Sequence, residues 1–152
     1  MKRTFHVLLI AIPLLWCGMI AGISFLEAPL KFQAPGITIA LGLGIGRLVF
    51  AALNKIEWLF AVAWTMAAFA TRTTYRDVIT PMILILILLL QTFWLLPVLD
   101  ARAGEVIAGA LPAPSNFHLY YIAADIAKLI LLLGTGSMLL SKLVKSASYT
   151  SA

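Results

Sequence analysis

The sequence predicts an all-α fold: an integral membrane four-helix bundle, N-in and C-in, whose second helix is long or kinked. Composition is the first observation behind this prediction. Of the 152 residues, 62% are apolar and 11% are charged, whereas a soluble domain is about 45–50% apolar and about 25% charged. A soluble or disordered chain is therefore excluded, and the single cysteine, Cys17, excludes an internal disulfide.

Four apolar stretches are the second observation, because a helix needs about 20 apolar residues to cross a bilayer. We expect one membrane domain over residues 1–145 and a frayed tail over residues 146–152. The second span begins between Ile37 and Ala51, because residues 37–70 are too long for one straight span. The predicted spans cover approximately residues 5–26, 48–70, 78–99 and 117–140.

Prolines and glycines predict the connections between the spans. Pro29 and Pro35 argue against a straight helix that continues from the first span through the first connection. The one long loop is expected over residues 100–116. Gly42 and Gly46 form a GxxxG step, which lets helices approach closely. We favour this packing role over nucleotide binding, because no strand precedes the glycines and no Lys-Ser or Lys-Thr pair follows them.

The positions of the basic residues are the third observation, because basic residues in short loops mark the cytoplasmic side. We therefore place both termini in the cytoplasm and expect a bacterial cytoplasmic (inner) membrane. The net charge of +5 then reflects topology and lipid head groups, not nucleic acid. The residues that set this orientation are Lys2, Arg3, Arg72, Arg76, Lys142 and Lys145.

Span four carries polar residues on one face. His118, Tyr121, Asp125 and Lys128 are spaced three, four and three residues apart, which places them on one side of a helix. Asp125 lies about 10 Å into the span at 1.5 Å per residue, and Lys128 lies one turn deeper. Two interpretations stay open here. Asp125 and Lys128 form a pair that neutralises itself, or they belong to a site that binds or moves a ligand.

Polar residues of other spans are expected at the same depth. Glu57 of span two and Gln91 of span three lie level with Asp125, so they and Lys128 form one polar layer. An interhelical hydrogen bond is the alternative role for Gln91. Three residues above the layer complete a polar funnel open to the non-cytoplasmic side: Glu27, Arg47 and His118.

Several kinds of chemistry are disfavoured. His6 and His118 lie near opposite membrane faces, so they cannot ligate one haem. A metal site built from Glu27, Glu57, His118 and Asp125 matches no spacing motif. We therefore predict no catalytic residue, no metal site and no cofactor.

Three short segments carry a family resemblance. They are F-L-E-A-P-L-K-F at 25–32, leading into R-L-V-F at 47–50, then Q-T-F-W-L-L-P at 91–97 and F-H-L-Y-Y-I-A-A-D at 117–125. Together they resemble the transmembrane-protein-205-like family of small four-helix membrane domains. That family tends to have a small hydroxyl residue and an asparagine where this chain has Tyr121 and Asp125. The resemblance implies the four-helix fold and a polar face on helix four, but no settled activity.

The polar funnel leads to the function prediction. We expect a membrane protein that binds or transports a small solute or ion, with Asp125 and Glu57 handling charge. Lys128 and Arg47 are the expected counter-charges or anion contacts, and His118 is a gate or pH-sensitive ligand at the mouth. The predicted ligand-binding set is Glu57, Asp125, Lys128, His118, Arg47, Glu27, Gln91 and Tyr121.

The expected partners are the lipid bilayer, the solute or ion, and further copies of the chain, since one four-helix subunit is small for a pore. Two alternative functions belong to other classes. In the first alternative, the chain is a membrane assembly protein whose buried polar face docks a partner helix. Less favoured is a lipid- or quinone-modifying membrane enzyme that uses His118 and Asp125 as acid and base.

Overall fold

A computed structural model describes residues 2–71 and 75–150, with side chains for residues 4–71 and 79–145. Within these residues the chain is helical between short connections and contains no β-strand. Four of the described helices are long and apolar enough to cross a membrane: Thr4–Gln33, Ile39–Ala70, Ile79–Ile107 and Phe117–Lys145. The all-α prediction and the four long apolar helices are thereby confirmed.

Several of the basic residues that predict the orientation lie outside the described part of the chain. Arg72 lies outside the described residues, and so do the side chains of Lys2, Arg3 and Arg76. The orientation of the bundle therefore stays a prediction.

The first long helix continues through Pro29 to Gln33. This corrects the prediction that the first span ends near residue 26. The helix consists of α1 (Lys2–Ile20), a π-helix (Ala21–Glu27), α2 (Ala28–Leu30) and a 3-10 turn (Lys31–Gln33). The π-helix ends two residues before Pro29 in a continuous run of helical backbone, and the missing N–H of Pro29 gives the irregular hydrogen bonding there a local cause. The chain then turns at Gly36, whose φ of 82° suits glycine.

The second long helix, α3, runs without interruption over Ile39–Ala70. The predicted long second helix is confirmed, and no separate interfacial helix precedes it within residues 39–50. Its length is about 48 Å at 1.5 Å per residue, which exceeds the hydrocarbon core of about 30 Å. The hydroxyl of Thr38 caps its start by accepting a hydrogen bond from the Leu41 amide at 3.2 Å.

The third long helix also passes a proline. It consists of α4 (Tyr75–Leu90), a second π-helix (Gln91–Leu95) and α5 (Leu96–Ile107). The loop expected over residues 100–116 therefore begins only after Ile107, because the π-helix lets the chain continue as a helix through Pro97. Gly109, with φ of 86°, then turns the chain away.

The fourth long helix, α6, covers Phe117–Thr150. It extends past Leu140, the predicted end of the span, and through residues 146–150 of the expected frayed tail. Residues 151 and 152 lie outside the described residues.

The bundle has two unlike halves. α1 packs against α3 and α6, while α3 also packs against α4 and α5. The half that holds the start of α1 contains an apolar core centred on Trp16, Trp64 and Leu132. The indole N–H of Trp64 donates to the backbone carbonyl of Leu9 at 3.1 Å and so joins α3 to α1. The polar residues of the predicted funnel lie in the other half.

Candidate ligand-binding site

A buried charged cluster lies beside the apolar core. Lys128 Nζ is 2.5 Å from Glu57 Oε1 and 2.9 Å from Asp125 Oδ1. Gln91 Nε2 donates to Asp125 Oδ1 at 2.9 Å, and Trp16 Nε1 donates to Glu57 Oε1 at 2.9 Å. All five residues are completely buried. The predicted meeting of Glu57, Gln91, Asp125 and Lys128 in one layer is confirmed.

This cluster contains two carboxylates but only one ammonium. The predicted Asp125–Lys128 pair is present, yet Glu57 shares the same ammonium. The three side chains therefore carry a formal charge of −1 when both carboxylates are ionised. Charges in a dry interior persist only when they are paired and hydrogen-bonded. A pair that simply neutralises itself does not describe this cluster, because two carboxylates share one ammonium.

Five buried side-chain oxygens have no hydrogen-bond partner among the described residues: Ser24 Oγ, Glu57 Oε2, Gln91 Oε1, Tyr121 OH and Asp125 Oδ2. Buried polar atoms are normally satisfied, so each exception needs an explanation. Three of the five atoms belong to residues that line one cavity, namely Ser24, Tyr121 and Asp125.

That cavity lies on the side of the charged cluster away from the apolar core and has a volume of about 670 Å³. Asp125 is its deepest residue along α6, and we call Asp125 and Tyr121 the floor of the cavity. Phe25, Phe32 and Phe50 form an aromatic wall. The volume falls within the range of about 300–1,000 Å³ that is usual for small-molecule sites.

Arg47 closes one side of the cavity mouth. Its Nε lies 2.5 Å from Asp100 Oδ1 and its Nη2 lies 2.8 Å from Asp100 Oδ2, so the contact is bidentate. Both residues line the cavity, and both side chains are partly exposed. Arg47 was predicted as a counter-charge to the buried carboxylates or as an anion contact. In the structure it neutralises Asp100 at the mouth.

His118 also lies at the mouth, as the predicted funnel requires, whereas Glu27 does not line the cavity itself. His118 is exposed and lines the cavity. Glu27 Oε2 accepts a hydrogen bond from Lys31 Nζ at 3.3 Å, and Lys31 lines the cavity. The structure thus brings seven of the eight predicted ligand-binding residues to one cavity or to the cluster beneath it, while Glu27 is connected to the cavity through Lys31.

The Lys31 ammonium rests on the aromatic wall. It lies 5.7 Å from the centre of the Phe32 ring and 5.6 Å from the centre of the Phe50 ring. A cation within about 6 Å of a ring centre is attracted by the negative face of the ring. The edge of the cavity therefore already holds one ammonium.

Thr92 also lines the cavity and contributes a polar hydroxyl group to it. Its hydroxyl accepts hydrogen bonds from Asn54 Nδ2 at 3.0 Å and from Trp58 Nε1 at 2.9 Å, and it donates to Asn54 Oδ1 at 3.1 Å. The hydroxyl is thus satisfied within the protein, in contrast to those of Ser24 and Tyr121.

Sequence reasoning missed several residues of the site. No role in the site was predicted for Trp16, Ser24, Lys31 or Thr92, which the structure places in the charged cluster or on the cavity wall. Ser24 belongs to the first π-helix, whereas Gln91 and Thr92 belong to the second. Pro29 and Pro97 were visible in the sequence two residues after the ends of the π-helices, but a proline alone does not indicate a π-helix.

The described side chains contain no group of three or more His, Cys, Asp or Glu residues placed to hold a metal ion. No family model, curated protein or solved structure matches the chain. The resemblance to the transmembrane-protein-205-like family therefore stays a prediction. The fold and the site define an all-α protein with four helices long enough to span a membrane, a buried charged cluster and an adjoining cavity.

Proposed function

We propose that the protein is a membrane protein that binds a small solute or ion in this cavity, as a binding or transport protein. One observation carries the proposal: Asp125 is completely buried, lines the cavity and keeps Oδ2 without a hydrogen-bond partner among the described side chains. An unsatisfied buried polar group costs about 1–3 kcal/mol, and more when it is charged. A ligand that reaches Asp125 removes this cost, which makes Asp125 the favoured point of contact.

We further propose that the chain lies in a bacterial inner membrane with both termini in the cytoplasm. The cavity then opens on the non-cytoplasmic side, between the ends of the helices that carry Lys31 and His118. The four long apolar helices and the distribution of basic residues support this placement. Further copies of the chain are proposed partners, because one four-helix bundle is small for a pore.

An assembly function has less support from the contacts. Glu57 and Lys128 are both completely buried within a single chain, so a partner helix cannot contact them without opening the bundle. A membrane enzyme that uses His118 and Asp125 also has less support, because Asp125 already contacts Lys128 and Gln91 while His118 is exposed at the mouth.

The proposal predicts that ligands stabilise the wild-type protein and not the Asp125→Asn variant. The measurement is thermal unfolding of purified protein in mild detergent, screened against ions, amines, organic acids, lipids and quinones. A ligand at a hundredfold excess over its Kd adds about 2.7 kcal/mol to the stability of the native state.

Glu105→Gln is the matched control, because Glu105 is exposed and does not line the cavity. The stabilising ligand must act equally on wild type and on Glu105→Gln. The proposal is wrong if no compound stabilises the wild type, or if Asp125→Asn responds as strongly as the wild type does.

A further inference from the structure

The charges around the cavity balance at its mouth but not at its floor. At the mouth, each cation contacts one carboxylate. Beneath the floor, in the buried charged cluster, Glu57 and Asp125 share Lys128, so the formal sum is one negative charge when both carboxylates are ionised. The unpartnered Asp125 Oδ2 belongs to a residue that lines the cavity. The balanced pairs at the mouth are Arg47 with Asp100 and Lys31 with Glu27.

The wall above the floor is aromatic and apolar. Phe25, Phe32 and Phe50 line it, and Phe50 meets the Tyr121 ring edge to face with the ring centres 5.4 Å apart. Ring faces attract cations and also bury apolar groups. The Lys31 ammonium already lies over the Phe32 and Phe50 rings, which shows that this wall accommodates an ammonium group.

From these observations we infer that the ligand is a hydrophobic organic molecule with a single positive charge. Its cationic group contacts Asp125 and supplies the charge that the floor lacks, while its apolar body packs against the aromatic wall. This inference rests on the proposed binding function and names its ligand class. An inorganic cation matches the charge but leaves the apolar wall without a partner, and an organic anion adds to the negative charge.

Two probes of the same shape and opposite charge test the inference directly: tetraphenylphosphonium and tetraphenylborate. Binding of each to the full-length protein in mild detergent is measured by isothermal titration calorimetry. We expect saturable phosphonium binding that is about tenfold or more tighter than borate binding, because like charge at a desolvated site is strongly disfavoured. Replacing potassium chloride in the buffer with sodium chloride is expected to leave phosphonium binding unchanged.

Two variants separate the charge effect from simple adsorption to apolar surface. Asp125→Asn weakens phosphonium binding about tenfold or more, because the cation loses its buried partner, while Glu105→Gln binds as wild type does. Lys31→Met strengthens phosphonium binding about threefold, because it removes a competing ammonium from the rings. Lys31→Met keeps the test decisive if Asp125→Asn does not fold.

The possible failures are distinguishable. Tighter binding of borate than of phosphonium, or weaker phosphonium binding by Lys31→Met, overturns the ligand class. Phosphonium binding that both Asp125→Asn and Lys31→Met leave unchanged also overturns it. If phosphonium does not bind but another compound stabilises the wild type and not Asp125→Asn, the ligand class is wrong and the proposed function stands. If no compound does so, both are wrong.

Discussion

Lys128 joins the two buried carboxylates, since its ammonium contacts Glu57 at 2.5 Å and Asp125 at 2.9 Å. Trp16 and Gln91 donate hydrogen bonds to the same carboxylates, so the cluster joins all four long helices. Removing one member of a buried ion pair is more damaging than never having had the pair, because the partner stays buried and uncompensated.

Lys128→Met is therefore expected to lower the free energy of unfolding by about 3–5 kcal/mol, as removal of one partner of a buried ion pair does. Lys55→Met is the matched control, because Lys55 is exposed on α3 and its removal leaves the buried ion pairs of Lys128 intact. Unfolding in mild detergent, followed by circular dichroism, measures both. Equal stability of the two variants contradicts a cluster held together by Lys128.

Spacing on a helix predicted which residues share a depth, but not which atoms pair. The sequence predicted that Glu57, Asp125 and Lys128 lie in one layer, because depth follows from residue count along each span. It gave Arg47 as a counter-charge to the buried carboxylates or as an anion contact, whereas Arg47 contacts Asp100. Partner choice depends on the rotation of each helix about its axis and on side-chain rotamers, which residue counts do not give.

The two π-helices shape the site at the level of elements. Ala21–Glu27 carries Ser24 and Phe25 on the cavity wall, and Gln91–Leu95 carries Gln91 and Thr92. Each one precedes a proline that lacks a backbone donor, so the irregular hydrogen bonding has a local cause. The sequence showed the prolines but predicted a break in the first helix and an early loop after the third, since it gave no sign of the π-helices that let both helices continue.

The glycines of α3 allow Lys31–Gln33 to pack closely against that helix. A Cβ at Gly42 would lie 2.7 Å from Phe32 Cδ1, whereas a Cβ at Gly44 would meet no atom within 4 Å. The predicted packing role of Gly42 is thus confirmed by its contact with the aromatic wall of the cavity.

Gly44→Ala is expected to be neutral or to stabilise the protein by up to about 1 kcal/mol, because alanine favours a helix over glycine. Gly42→Ala is expected to be less stable than Gly44→Ala by about 1–3 kcal/mol, because its methyl group displaces the Phe32 ring. Thermal unfolding in one detergent compares the two variants. Equal midpoints contradict close packing of the Phe32 ring on α3.

The whole molecule combines an apolar half with a polar half. The core around Trp16 and Trp64 fills the half that the sequence predicts to be cytoplasmic, and the cavity occupies the other. Composition and span length were sufficient to predict four apolar helices. The cavity itself was predicted only as a funnel of polar residues, because its aromatic wall depends on how the segment Lys31–Gln33 folds against α3.

Access of water-soluble reagents to the cavity tests the proposed site most directly. The measurement compares Ile122→Cys with Ala123→Cys, each in a Cys17→Ser background, in intact cells treated with a membrane-impermeant thiol reagent. Ile122 lines the cavity one turn before Asp125, whereas its neighbour Ala123 is exposed on the outer surface of α6, which is expected to face lipid.

An outward-facing cavity that leads to Asp125 predicts that the reagent labels Ile122→Cys in intact cells and leaves Ala123→Cys unlabelled, because thiols in contact with lipid react poorly. Labelling of Ile122→Cys only after the membrane is permeabilised contradicts the proposed orientation. No labelling of Ile122→Cys under either condition contradicts the cavity as a binding site.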